Sequence, residues 1–157
     1  MSKAAELAKF IGSGEVARTS HPAFMARITS TQSNIPINAT TTVTFDNEIF
    51  DQGSDFASNT FTAPITGKYQ FDVHAYVQNM DTASNYVQCT LNTSNRNYYD
   101  IIEPVLNNDV DYYVFQIHVL ADMDAGDTAH VEFELDNSGS AQMDVQINSH
   151  FSGYLVA

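Results

Sequence analysis

The sequence is poor in cysteine and in basic residues. Cys89 is the single cysteine among 157 residues, so an intrachain disulfide and a cysteine-rich metal site are both excluded. Lysine and arginine together number 6 against 19 aspartates and glutamates, which gives a formal net charge of -13. This balance argues against nucleic acid as a partner, because phosphates require a cationic surface, and against adhesion to anionic membranes. We interpret the acidity as a source of solubility.

Long apolar runs and catalytic motifs are also missing. No stretch approaches the roughly twenty apolar residues that span a bilayer, and the opening residues MSKAAELAKFIG lack the apolar core of a secretory signal. The sequence contains no Gly-x-Ser-x-Gly elbow, no phosphate-binding glycine loop and no His-Glu-x-x-His run. We therefore expect a protein that is not an enzyme, does not insert into membranes and is made in the cytoplasm without an export signal.

Most of the chain shows an alternation of apolar and polar residues. Apolar types make up 43%, enough for the core of one domain of this length. From about Ala23 onward, short stretches with a period of two are separated by Asn, Asp, Ser and Gly turns, which predicts an all-β sandwich or barrel. Cys89 shares a strand face with Val87 and Leu91, so we expect a buried, unreactive thiol. The residues expected in the core include Phe71, Phe115, Ile117, Val131, Phe133 and Phe151.

Only the first dozen residues show helical spacing. A capping Ser2 and a terminal Gly12 bracket this short amphipathic stripe, which is too short to be stable alone. A docking segment and a frayed terminus are the two interpretations. The docking hypothesis assigns the contacts to Leu7, Phe10 and Ile11. The chain then divides into a helical docking segment over 1–14, a linker over 15–22 and a β domain over 23–157.

One hairpin register is predicted from the pattern alone. The strands 114–121 and 128–135 flank a turn centred on Asp124, which would pair Phe115 with Phe133 and Ile117 with Val131. The first of these strands is apolar on its second face as well, and such a strand must be covered twice, which predicts a subunit interface. The residues predicted to form that interface are Tyr112, Val114, His118 and Leu120.

Histidines give a second, weaker prediction. In the same register His118 would face His130 across the two strands, close enough to share a metal ion or to repel when both are protonated. Two independent imidazoles are the favoured interpretation. His21, His74 and His150 show no partner in the sequence.

Several motifs are typical of a known family. The piece Phe61, five residues, then Gly67-Lys68-Tyr69-Gln70-Phe71 stands in the middle of the chain, Ala125-Gly126-Asp127 precedes a late strand, and Phe151-Ser152-Gly153-Tyr154-Leu155 lies at the end. Over roughly residues 23 to 157 these motifs resemble the signature of the C1q-like domain, within the C1q and tumour-necrosis-factor superfamily. The other matching positions are Phe45, Asp51 and Phe56.

The resemblance implies a jelly-roll sandwich of about ten antiparallel strands that assembles as a compact homotrimer and serves binding, not catalysis. Phe61 would then close a strand, and the chain would turn between Pro64 and Gly67 before re-entering the core. Some relatives bind calcium through aspartates that flank a late loop, and the matching positions here are Asp100 and Asp109, with Asp111 close by. Carboxylates are the oxygen ligands that calcium prefers, although solvated loop acids remain the alternative.

Relatives usually carry a signal peptide and a collagen stalk, and this sequence shows neither. The combination suits a bacteriophage virion protein, and residues 3–10 resemble short connectors found ahead of phage fibre-tip domains. The hypothesis is therefore a virion fibre, head fibre or decoration protein that docks on a larger virion component and binds a cell-surface glycan or protein. A bacterial C1q-like lectin or adhesion module is the alternative, and a trimer clamp without a ligand is a third possibility.

Overall fold

The computed structural model describes residues 21–136 and 139–157, so the predicted docking segment, with Leu7, Phe10 and Ile11, lies outside the described residues. Within the described part the structure is all-β, as predicted, and contains no helix, hence none long and apolar enough to cross a membrane. Its strands are β1 (Ala23–Arg27), β2 (Thr40–Thr42), β3 (Asn47–Gln52), β4 (Phe56–Ala57), β5 (Thr60–Thr62), β6 (Gly67–Gln78), β7 (Tyr86–Thr93), β8 (Asn97–Ile102), β9 (Tyr113–Met123), β10 (Thr128–Asp136), β11 (Asp144–Val145) and β12 (His150–Leu155).

The strands form two antiparallel six-stranded sheets. In sheet A, β6 pairs with β9 on one side and with β12 and β11 on the other, and β1 and β3 continue the sheet beyond β12. In sheet B, β10 pairs with β7 on one side and with β5 and β2 on the other, β8 lies outside β7, and β4 lies outside β5. This is the predicted jelly-roll sandwich.

The core lies between the sheets because each long strand turns one apolar face inward. In β6 every second residue from Tyr69 to Val77 is buried, and β10 repeats the pattern. Aromatic rings fill one region of this layer, with Phe24 stacked on Phe61 at a centroid distance of 4.9 Å. All the residues predicted for the core are buried, and so is Cys89.

The hairpin predicted from the pattern is wrong. β9 pairs with β6 in sheet A, with Ala75 opposite Phe115, whereas β10 lies in sheet B and pairs with β7. Phe115 and Phe133 do contact, at a centroid distance of 5.3 Å, but they meet across the sandwich. Two inward-facing apolar strands on opposite sheets show the same alternation as two strands paired in a hairpin, so the pattern alone does not distinguish them.

The stretch around Pro64 and Gly67 carries the chain from sheet B to sheet A. β5 ends at Thr62, and β6 begins at Gly67 in the other sheet. The Tyr69 hydroxyl donates a hydrogen bond to the Ile65 carbonyl at 2.8 Å and anchors the crossing. Gly67 has no room for a side chain, because a Cβ there would lie 2.7 Å from the Ala157 carbonyl oxygen.

The sandwich has two ends, marked by the two ends of β6. At the Gly67 end the chain enters the domain: the Leu155 amide donates to the Pro22 carbonyl at 2.9 Å. At the other end, Met80 and Val110 form a bridge that fixes the loop between β8 and β9. The start of the domain and this loop therefore lie at opposite ends of the molecule.

Candidate assembly interface

The face of sheet A that points away from the core gathers the predicted interface residues. Since successive strand residues alternate sides, the residues of β9 that flank the buried Phe115 and Ile117 point outward. Register then places Val114 opposite Tyr76 and Leu120 opposite Gln70, and Gln70 is opposite Tyr154 on β12. The outer face of sheet A is thus a continuous surface built from β9, β6 and β12.

Apolar and aromatic side chains are exposed across this face. The exposed fraction is 69% for Tyr112, 55% for Leu120, 49% for Tyr154 and 37% for Val114. Tyr112 stacks on Tyr76 with a centroid distance of 6.3 Å and an interplanar angle of 13°, which gives the end of the face a flat aromatic platform. Large exposed apolar patches of this kind mark protein contacts.

Three histidines lie in the middle of the face. His74 on β6 is opposite His150 on β12, and the two rings stack with a centroid distance of 4.9 Å and an interplanar angle of 7°. His118 on β9 is opposite Asp72, and its Nδ1 lies 2.7 Å from the Asp72 Oδ1. The face therefore combines an apolar rim with a titratable centre. We call His74, His118 and His150 the histidine cluster.

Burial lowers the pKa of His74 below its usual value, and the neighbouring imidazoles of His150 and His118 lower it further. A charged imidazole loses hydration when it is half-buried, and like charges nearby disfavour it as well. The neutral ring of His74 is consequently the favoured form at the centre of this face.

The sequence shows no partner for His74 and His150, whereas in the structure their rings stack on each other. Nothing in the local pattern identifies the pair, since β6 and β12 are some seventy residues apart in the chain and only the sheet topology brings them together. His118 and His130 are not paired: His130 lies on β10 in sheet B, with its Nε2 3.3 Å from the Glu132 Oε2. Independent imidazoles, the favoured interpretation for these two, are confirmed.

A second apolar surface lies at the edge of sheet B. β8 is the outermost strand next to β7, and Tyr99 and Ile101 on it are exposed, as are Val105 and Leu106 in the loop that follows. Edge strands with exposed apolar residues invite pairing or packing with another chain. We call these four residues the β8 edge patch.

The three aspartates predicted as calcium ligands do not gather at one point. Asp100 lies on β8, where its Oδ2 accepts a hydrogen bond from the Gln116 amide at 3.1 Å. Asp109 lies in the loop between β8 and β9 and accepts from Thr82 and Gln142. The Gln142 side chain and the Thr82 amide hold the pKa of Asp109 below its usual value.

Asp109 and Asp111 do share a polar pocket of about 390 Å³ at the loop end of the sandwich. Within residues 21–136 and 139–157, no group of three histidine, cysteine or acidic side chains could hold a metal ion. One chain thus brings two of the three predicted ligands together, and the calcium site stays a prediction. The other residues that line the pocket are Ser33, Asn34, Asn79, Gln142 and Asp144.

A second pocket, of about 310 Å³, lies at the opposite end. It is lined by residues near the start of β6, the end of β9 and the chain terminus, including Lys68, Asp122 and Ala157. Arg96 lies beside it in an exposed ion pair with Asp122, at 3.2 Å. The polar residues that line the two pockets are all partly or fully exposed.

The family model of the C1q domain matches residues 23–156. The chain belongs to the C1q family. Among solved structures, the globular domain of the zebrafish complement 1qA protein is similar to this C1q domain with a TM-score of 0.68 and 20% identity, over 88% of this chain and 98% of that one. Crystal structures of murine APRIL at pH 8.0 and pH 5.0 are similar with TM-scores of 0.60 and 0.58 and identities of 12% and 11%; each comparison covers 88% of this chain and 100% of the other. No curated protein matches this C1q domain.

The structural likenesses show the fold, a C1q and tumour-necrosis-factor jelly roll. The domain families that share it are non-enzymatic binding modules, and C1q and tumour-necrosis-factor homologues form trimers. The exposed face of sheet A and the β8 edge patch are therefore the candidate binding surfaces of this C1q domain.

Proposed function

We propose that this protein is a non-enzymatic homotrimeric binding module, and that it serves as a virion fibre, head fibre or capsid decoration. The single observation that carries the trimer is the outer face of sheet A, where large apolar side chains of β9, of β12 and of the residue before β9 stand exposed around a polar centre. Leaving such a face in water forgoes the favourable free energy of burying it. A second copy of the chain covers it in the proposed assembly.

A ring of three requires two different surfaces on each subunit, because its contacts are heterologous. The C1q domain offers two. In the proposed ring, the outer face of sheet A of one subunit packs against the β8 edge patch, with Tyr99 and Ile101, of the next subunit. An obligate interface of this kind buries on the order of 2,000 Å² or more.

Light scattering tests the trimer. The wild-type protein is expected to have the mass of three chains at micromolar concentration, and Leu120→Glu is expected to dissociate it, since a carboxylate would be buried without a partner. Ile65→Glu is the matched control, because Ile65 is similarly exposed but lies in the crossing between the sheets. A wild-type monomer would contradict the proposal.

The virion assignment is supported by the resemblance of residues 3–10 to phage fibre connectors and by the position of the domain start. Pro22 lies at the Gly67 end of the sandwich, and the loop that carries Asp109 lies at the other end. A trimer attached through residues 1–14 would hold that loop away from its attachment point. Three such segments would also add weak individual contacts through their effective concentration.

Incorporation into particles tests the docking segment. Deletion of residues 1–14 is expected to leave a trimeric head that no longer incorporates into virions. A full-length control with Leu7, Phe10 and Ile11 changed to Ser separates the loss of the apolar stripe from the loss of length, and we expect it to fail in the same way. Normal incorporation of both variants would contradict a docking role for this segment.

The ligand of the head is proposed to be a cell-surface glycan or protein that meets the loop end of the sandwich. A glycan array with the purified trimer tests the glycan. Binding to glycans combined with absence from purified virions would favour the bacterial lectin or adhesion alternative. If the trimer is present in virions but binds no surface ligand, the remaining interpretation is a structural clamp.

Calcium is proposed as a ligand of the same end. Calcium is expected to raise the thermal midpoint of the trimer, and chelation is expected to reverse the effect. The variants Asp100→Asn, Asp109→Asn and Asp111→Asn, each measured with and without calcium, show which carboxylates take part. A midpoint that does not respond to calcium would remove the calcium site from the proposal.

A further inference from the structure

The trimer proposed above would cover the histidine cluster, so the cluster's charge state bears on assembly. His74 and His150 hold their rings parallel at 4.9 Å, a separation at which two imidazolium charges repel strongly unless water screens them. His118 lies on the strand next to His74 and, unlike the other two, has a carboxylate partner in Asp72. His74 therefore lies between two other imidazoles and has no carboxylate directly opposite it.

Every strand of sheet A carries charged or titratable groups. Arg27 on β1 is opposite His150 and adds positive charge, and Asp72 on β6 is engaged by His118. Lys68 and Asp122 are opposite one another at the far end of β6 and β9. The remaining groups are Glu48 on β3, Asp144 on β11, and Tyr76, Tyr112 and Tyr154 on the face itself.

We propose that His74, stacked on His150, makes assembly of this protein pH-dependent, so that the trimer is stable when His74 is neutral and dissociates when His74 is protonated. This inference rests on the trimer proposed above, in which a second copy covers the outer face of sheet A. It adds that association of the second copy requires the His74 imidazole to be uncharged.

The sign follows from burial. In a single chain the pKa of His74 is already lowered by burial and by its histidine neighbours. Covering the face removes more water from the ring, so the pKa falls further on association. A histidine whose pKa is lower in the assembled state than in the free subunit has no effect on assembly while it is neutral in both states. It weakens assembly as the pH falls from the free-subunit pKa, which is itself below the ordinary 6.5, toward the lower pKa of the assembled state.

The size of the effect depends on how far the pKa falls on association. A fall of one unit weakens association up to about tenfold for each histidine, and up to about a thousandfold when His74 contributes once from each of three subunits. The net charge of -13 per chain acts in the opposite direction, because protonation reduces repulsion between subunits. That repulsion is screened beyond about 8 Å at physiological ionic strength, whereas the His74 and His150 rings are in contact.

The covering copy brings its own charges. In the proposed ring the β8 edge patch packs on this face, and Glu103 is the exposed carboxylate within that edge. Asp100 on the same strand already accepts a hydrogen bond from Gln116 of its own chain. If Glu103 paired with the histidines, acid would tighten the trimer instead of loosening it, so the direction of the pH effect decides between the two arrangements.

The experiment measures the mass of the full-length protein by sedimentation velocity and light scattering from about pH 8 to about pH 5, the range in which histidine titrates. The test variant carries His74→Gln together with His150→Gln, and the control carries His130→Gln, a histidine of sheet B away from the face. Circular dichroism at each pH establishes that the subunits stay folded. A single His118→Gln variant provides a second test if the double variant does not fold.

Wild type and His130→Gln are expected to be trimers at about pH 8 and to dissociate into folded subunits toward about pH 5. The double glutamine variant is expected to remain trimeric throughout that range. His118→Gln is expected to dissociate at a higher pH than wild type, since loss of this neighbour raises the pKa of His74 in the free subunit. A wild-type trimer that persists or tightens at about pH 5, or a double variant that dissociates together with wild type, would overturn this inference and leave the trimer intact. A wild-type monomer at about pH 8 would overturn both.

Discussion

Gly153 is the position at which the packing of this domain makes the sharpest prediction. It lies on β12 between Phe71 on β6 and Phe24 on β1, and both neighbours point into the core. A Cβ at Gly153 would lie 2.5 Å and 2.7 Å from two carbons of the Phe71 ring and 2.9 Å from a carbon of the Phe24 ring. The Phe71 and Phe24 rings thus occupy the volume that a side chain at position 153 would need.

The expected cost of Gly153→Ala follows from that geometry. Carbon atoms pack at about 3.5–4.0 Å, so at least one ring must move by about 1 Å. Phe71 and Phe24 are 0% and 1% exposed and are enclosed by further rings, which leaves little room. Overpacking of this kind costs about 1–3 kcal/mol, and the lower entropy of the unfolded alanine chain offsets about 0.4–1 kcal/mol. We expect a net loss of about 1 kcal/mol.

Calorimetry at a fixed protein concentration measures this loss, because the midpoint of an oligomer depends on concentration. A loss of about 1 kcal/mol corresponds to a fall of about 2–4 °C for a domain of this size. Thr40→Ala is the control, since Thr40 is an exposed strand residue of sheet B outside both proposed contact surfaces, and we expect its midpoint to stay close to that of wild type. A Gly153→Ala midpoint equal to or above that of wild type would show that the rings relax freely, and the packing argument would be refuted.

Three further predictions concern the same fold. Phe115→Ala is expected to cost about 3–5 kcal/mol in denaturant unfolding, because it empties a fully buried ring site; an unchanged midpoint would contradict this. Asp51 accepts hydrogen bonds from the amides of Asp55 and Phe56 at 3.1 Å and 3.0 Å, so Asp51→Ala is expected to lose about 1–3 kcal/mol and Asp51→Asn less; equal stabilities for both variants would argue against the amide contacts. Burial, with the Asp100 carboxylate nearby, raises the pKa of the Cys89 thiol, so thiol reagents are expected to label it only after unfolding, and rapid labelling of the native protein would refute its burial.

The functional surfaces were predictable only in part. The second apolar face of β9 was predictable from the sequence, because Tyr112, Val114 and Leu120 are separated by even numbers of residues and so fall on one side of an extended chain. The structure leaves all three side chains exposed. The β8 edge patch was not foreseen, since exposure at a sheet edge depends on which strand is outermost. The separation of Asp100 from Asp109 also depends on the tertiary structure. Asp100 lies on β8, which pairs with β7 in sheet B, whereas the Met80–Val110 bridge fixes the loop of Asp109 at the end of the sandwich.

The sequence by itself determined the class of the fold and the inward face of each strand. An alternation with period two assigns every second side chain to the core, whichever strand lies next to it, and this is why the predicted core residues are all buried. Only the tertiary structure decided which strands pair. Strand pairing depends on contacts between distant segments of the chain. In the structure β9 therefore lies next to β6 and not next to β10, and the pairing of β6 with β12 stacks His74 on His150. It also explains why a glycine stands at position 153, because the rings that exclude a side chain there come from β1 and β6.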